Sequence, residues 1–258
     1  MEALNLFFFL QNYDVTLNIF LVFIGWLYLV FTKKLSIAKR VCFIFGLILY
    51  YFCYGSPFRL YSHELFSMHM LQMSLGYFVF PLFLILGLPN NFIEKFIKSK
   101  IGFLTKPIFS LFFFNILISF YHVPFIFDFI MAKKTLHFFI HLVLLFAAFC
   151  MFLPIIFNFK NKLKPIHKVL LVFANGMLLT PVCAIITFTD MLLFKTYSKA
   201  STIMPNLNPL YDQQLGGVLM KIIQEFVYIF LLGYIFLKWF KLQREKDNEE
   251  MRKINEKT

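Results

Sequence analysis

Charge is what this 258-residue sequence has least of: 15% of its residues are charged, and only 13 are acidic. Soluble domains carry about a quarter charged residues. A water-soluble globule of this length leaves roughly a quarter of its unfolded surface exposed. With 60% hydrophobic residues and a mean hydropathy of +0.75, it has too little polar surface to cover itself. A soluble enzyme and a disordered chain are excluded. Cysteine is scarce as well. Cys42, Cys53, Cys150 and Cys183 are scattered without a C-x-x-C pair, which excludes a disulfide-stapled domain and leaves them mostly as small hydrophobes. Also missing are a glycine loop for phosphate, an activated nucleophile and an acid pair at catalytic spacing, so no enzymatic reaction is expected. MEALNLFFFLQN has an acid in place of a basic n-region and no small-residue cleavage site, so no cleavable signal peptide is expected. Its LFFFL is too short to span a membrane and is expected at the interface or as an extension of the first helix.

What is present is a series of long apolar runs, the mark of an all-α polytopic membrane helix bundle. Seven stretches meet the requirement of about 20 mostly apolar residues: 14–32, 38–56, 64–88, 107–127, 134–157, 165–190 and 214–240. Together they make one transmembrane domain over 1–240, followed by a charged cytoplasmic tail over 241–258 that is a solvated helix or disordered. Residues 90–103 place Phe92, Ile93, Phe96, Ile97 and Ile101 on one face and are expected as an interfacial helix, with a docking surface as the alternative. Pro81, Pro154 and Pro181 fall within spans and are expected to kink them. There is no internal repeat.

The net charge of +12 would suggest nucleic acid in a soluble protein. Here the bases lie between apolar runs, so the partner is the lipid bilayer and its anionic inner leaflet, with no nucleic acid. Lys33, Lys34, Lys39 and Arg40 fill the first loop. Lys95, Lys98, Lys100 and Lys106 fill the third, and Lys160, Lys162, Lys164 and Lys168 the fifth. Seven more follow from Lys238. The even loops hold only Arg59, Lys133, Lys134, Lys195 and Lys199. The bias predicts the N-terminus outside and the C-terminus inside.

Polar groups in a bilayer are costly and mark function by default. His63 is expected at the mouth of span three, with His69 roughly 9 Å and Met73 roughly 15 Å further in. His122 ends span four. His137 and His141 share one face of span five. Asp212 precedes the last span, again outside. Only His167 falls on the inner side, where an interfacial role is expected. Several imidazoles at one depth, with a thioether, suit copper in the cuprous state. His69, His137 and His141 are the leading ligand candidates, with Met73, His122 and His63 auxiliary and Asp212 admitting cations or orienting a histidine. The bland alternatives are interhelical hydrogen bonds, worth about 0.6 kcal/mol each, and methionine packing at Met70 and Met73. Lys221 and Glu225, one turn apart in the last span, read as an ion pair in preference to a Schiff-base lysine.

HELFSMHMLQM (His63–Met73) followed by PLFLILGLP (Pro81–Pro89) resembles the CtaG family, multipass assembly factors for caa-type cytochrome c oxidase of Gram-positive bacteria. FYHVPFIFD (Phe120–Asp128), LHFFIHLVLLFAAFCMFLPII (Leu136–Ile156) and NPLYDQQLGGVLM (Asn208–Met220) fit the same family in order. The matching positions are His63, His69, His122, His137, His141, Asp212, Gly216 and Gly217. Many relatives carry a second histidine where this chain has Met73. The resemblance implies a bacterial cell-membrane protein that matures the oxidase without being one of its subunits, with oxidase subunits or other assembly factors as partners. Combined with the histidines, it predicts copper handling or delivery through an outer-leaflet site, with copper bound transiently and haem not expected. A b-type haem or quinone redox protein, with His69 and His141 as axial ligands, is one alternative; a CopD-like copper permease is another, though the inner half is nearly bare apart from Gln224 and Glu225.

Overall fold

A computed structural model describes residues 14–157, 163–198 and 207–255. The LFFFL stretch, Lys160, Lys162 and Lys199 lie outside the described residues. Every regular element among the described residues is helical. That follows from the solvent: backbone N–H and C=O groups in hydrocarbon must be satisfied within their own segment.

The chain opens with α1 (Val15–Phe31), capped by Asp14, whose carboxylate accepts from the Leu17 N–H. Helix α2 (Ile37–Tyr50) runs into a π-helical turn, Tyr51–Gly55. A short α3 (Phe58–Glu64) precedes α4 (Phe66–Ser74), a second π turn (Leu75–Val79) and α5 (Phe80–Gly87). Helix α6 (Asn90–Lys98) leads through a 3-10 turn, Lys100–Thr105, to α7 (Pro107–Tyr121). Then come α8 (Pro124–Met131), α9 (Lys134–Ile156) and α10 (Pro165–Phe188). A 3-10 turn, Lys195–Tyr197, precedes α11 (Pro209–Asn255).

This is a membrane protein. Among the described residues, five helical stretches are long and apolar enough to cross a bilayer: Ile37–Gly55, Phe66–Gly87, Lys134–Ile156, Pro165–Phe188 and Pro209–Glu249. A sixth is the pair α7 and α8, bent by 78° at its break. The remaining apolar segment, α1, has 17 residues and covers about 25 Å, short of a hydrocarbon core of about 30 Å. Large apolar side chains face outward around the bundle, Phe31, Phe125 and Phe188 among them, each about four-fifths exposed. Lipid solvates such a surface; water does not.

Three sequence expectations change in detail. The span 107–127 stops at Tyr121, because Val123 is held extended before Pro124 and the helix restarts in a new direction. The last span begins at Pro209 instead of 214 and runs unbroken into the charged segment, so 241–255 is helix continuous with the span. The interfacial helix 90–103 breaks at Ser99; Ile93 is buried against the bundle while Phe92 and Ile101 stay half exposed. Pro81 follows a π turn, which lies over the gap left by its missing N–H.

The two ends of the bundle differ. At the lysine-rich end, Lys39 Nζ donates to the Leu88 carbonyl and to Asn90 Oδ1, tying the first loop to the third. Lys168, expected in the fifth loop, is buried and donates to the Ile155 carbonyl at the end of α9, where orphan carbonyls and the helix dipole favour a cation. His167 is exposed there beside an apolar groove between α7 and α10, lined by Phe109, Phe112 and Leu170. At the other end, Arg59 pairs with Asp14 at 3.2 Å, and Asp128 accepts from the Lys195 and Thr196 N–H groups. Tyr197 Oη donates to the Ser62 carbonyl. These contacts tie the connections at that end to one another.

Candidate functional site

The first residues of α4 have N–H groups with no partner in their own helix. Leu65 sits at the cap and has no side chain to offer. Asp212, from the first turn of α11, fills the role across 146 residues. Its Oδ2 accepts from the Phe66 N–H at 2.6 Å, and its Oδ1 accepts from the Ser67 N–H at 3.2 Å and from the Ser67 hydroxyl. Asp212 is fully buried. It is therefore an internal cap, three residues before His69, and not an open carboxylate before the span. Gln213 continues the motif. Its Oε1 accepts from the Leu193 N–H at 2.7 Å, and its Nε2 donates to the Met191 carbonyl. Gly216 completes the contact: a Cβ there would stand 2.5 Å from Phe66 and 3.0 Å from Met70. The D-Q-x-x-G-G sequence thus docks the last helix on α4 and fixes the height of His69.

Four imidazoles meet at that height. The rings of His137 and His141 are 4.2 Å apart. His63 lies 5.9 Å from His137, and His69 lies 6.1 Å from His141 and 6.3 Å from His137. Two imidazoles that share an ion at about 2 Å per nitrogen hold their ring centres no more than roughly 6.5 Å apart. All four pairs satisfy this. Exposure falls along the series: His63 is exposed, His137 and His141 are half buried, and His69 is buried. Among the described residues, no three histidine, cysteine or carboxylate side chains converge closely enough to hold one metal ion as they stand.

Tyrosines, which the sequence reading missed, hold the rings. Tyr121 Oη is 3.1 Å from His69 Nε2 and 3.4 Å from His141 Nε2. Tyr77 Oη bonds His141 Nδ1, and the Tyr54 ring stands edge-on to His141 at 6.4 Å. Both π turns contribute here: Tyr54 lies in the first and Tyr77 in the second. Gly76 leaves the space that the Tyr54 hydroxyl takes, since a Cβ would come within 2.5 Å of it. A signal existed, because Tyr77 is two turns beyond His69 on the same helical stripe. It was submerged in a composition that is 21% aromatic.

His137 Nε2 is buried with no hydrogen-bond partner. An unpaired imidazole nitrogen in an apolar site is costly, and its position among three other rings suits a soft cation. His63, outside the spans, is held neutral to lower pH than a free histidine, first by the partial loss of water around its ring and then by the Arg59 guanidinium; Lys134 adds to this and Glu64 opposes it. The nitrogen it offers at the mouth is thus unprotonated at neutral pH.

The other candidates are placed apart. His122 is buried at the end of α7 with Nδ1 donating to the Ile118 carbonyl at 2.7 Å, so its bare Nε2 lone pair is also unpartnered. Met73 is enclosed in the apolar core and Met70 packs by Gly216. The sulfur that reaches the cluster is instead Met131, 3.9 Å from Tyr121 Oη. A porphyrin plane between His69 and His141 would have to occupy the place of the Tyr121 hydroxyl.

Mid-bundle polarity has a different character. Asn115 Nδ2 donates to Asn175 Oδ1 at 2.7 Å, and Gln224 Nε2 donates to the Asn175 carbonyl. Lys221 pairs with Glu225 at 2.6 Å, as the spacing predicted, and also donates to the Gly176 carbonyl and Thr180 Oγ1. Asn115 and Asn175 were not singled out from sequence. With Gln224 they clamp α7, α10 and α11 together.

A family model described as cytochrome c oxidase caa3 assembly factor (Caa3_CtaG) matches residues 21–242. No curated protein and no solved structure matches the chain.

Proposed function

The chain belongs to the cytochrome c oxidase caa3 assembly factor family, and from that premise we propose that it handles copper for the oxidase at its histidine end. The observation that carries this reading is the unpartnered His137 Nε2 within 4.2 to 6.3 Å, ring to ring, of His141, His63 and His69. Neutral imidazoles suit cuprous copper, and pairs of them satisfy an ion that accepts low coordination numbers. Copper is cargo here. The exposed His63 receives it, His137 and His141 pass it inward, and His69 holds the deepest position. The lysine bias favours this end lying outside a bacterial cell membrane. There it faces oxidase subunits or other assembly factors as partners, and the protein does no covalent chemistry.

The test uses cells that make the oxidase. His137→Ala combined with His141→Ala should leave the protein inserted at normal levels and remove most of the oxidase activity. Copper content of the purified oxidase should fall with it. Full copper and full activity in that double variant overturn the reading.

A further inference from the structure

Tyr121 and Tyr77 touch the same imidazole on opposite sides, and the two contacts have opposite consequences for a cation. We propose that the Tyr121 hydroxyl is a placeholder, standing where an ion shared by His69 and His141 would bind, whereas Tyr77 orients His141 toward that ion. The inference rests on the copper-handling reading and adds how the site releases what it holds.

The geometry is specific. Tyr121 Oη lies within hydrogen-bond reach of both Nε2 atoms, at 3.1 and 3.4 Å. The phenol is buried, with Phe127 and both imidazoles around it. One consistent proton arrangement satisfies these contacts. His141 Nδ1–H donates to Tyr77 Oη. Tyr121 O–H donates to His141 Nε2, and His69 Nε2–H donates to Tyr121 Oη. The two nitrogens that face each other are then occupied by one oxygen. A metal–nitrogen bond of about 2 Å is shorter than either contact. An ion therefore enters only when the hydroxyl withdraws, the His69 proton moves from Nε2 to Nδ1 and the rings close; when the ion leaves, the proton returns to Nε2 and the hydroxyl reclaims both nitrogens. Such a site binds reversibly, which a protein that hands copper on requires. Tyr77 acts differently. It bonds the nitrogen remote from the ion, fixing ring and tautomer, the usual service of a group behind a metal-binding histidine.

The experiment measures cuprous affinity of the purified full chain in detergent micelles, by competition with the chromophoric chelator bicinchoninate. Tyr121→Phe should tighten binding by about fivefold or more, the equivalent of one released hydrogen bond, and slow transfer of copper to the chelator. Tyr77→Phe should weaken it by about tenfold or more. Tyr121→Leu, which also lacks the hydroxyl, should change affinity in the same direction as Tyr121→Phe and covers the case in which the latter misfolds. Weaker or unchanged binding in both Tyr121 variants overturns the placeholder, as does a shift of Tyr121→Phe and Tyr77→Phe in one direction. A wild-type chain that binds no cuprous ion overturns the copper reading itself, and this inference with it.

Discussion

Asp212 shows how a single residue can be identified correctly as important and yet be given the wrong neighbours. An acid beside a span points to ion entry when only its own helix is known. Its carboxylate in fact accepts three hydrogen bonds from Phe66 and Ser67, in a place that no solvent reaches. Bonds to a charged acceptor contribute about 1.5–3 kcal/mol each, and removing one partner leaves the donors unsatisfied. Asp212→Ala is expected to destabilise the bundle by about 2–4 kcal/mol, seen as a lower midpoint of thermal unfolding in detergent. Copper binding at temperatures where the variant is still folded should weaken less than in a His137→Ala variant. A variant as stable as wild type would show that α4 is capped by something else.

At the scale of elements, boundaries were the least readable feature. Hydropathy reports where a segment is apolar, and a helix does not end where its composition changes. Helix α11 continues to Asn255 because neither proline nor glycine follows Gly233, and its Lys, Glu and Gln residues are good helix formers. The α7–α8 break is set by Pro124, a local rule that the apolar run concealed. The π turns at Tyr51–Gly55 and Leu75–Val79 have no periodic signature, yet they turn Tyr54 and Tyr77 toward the imidazoles. Packing between elements depends on small residues at the crossing of α4 and α11. Gly216→Ala forces its new methyl against Phe66 and Met70, and should cost about 1–3 kcal/mol. The check is a lower midpoint of unfolding in detergent. Wild-type behaviour would place the crossing elsewhere.

For the whole molecule, the two ends carry the functional asymmetry. The histidine end is tied together by Asp212, Gln213, Tyr197 and Asp128, and the lysine-rich end by Lys39 and Lys168. Between them, the Asn115, Asn175 and Gln224 clamp joins three helices, each side chain engaged with a neighbouring one. The lysine distribution predicts that a fluorescent protein fused after Thr258 lights up in the cytoplasm and that an alkaline phosphatase fused there is inactive. An active phosphatase would invert the orientation and place the copper site on the cytoplasmic side.

Composition alone determined the solvent, because a chain with so few charges can be stable only in lipid, and lipid permits only helices here. Spacing along single helices determined that His137 stands over His141 and that Lys221 pairs with Glu225, since one turn of helix is local geometry. What lies between helices was decided by the tertiary structure. Which nitrogens face a tyrosine, which remain bare, and that an acid from the last helix caps α4 all depend on contacts 20 to 146 residues apart. Such contacts arise from the packing of whole helices, and no periodicity within one helix encodes them.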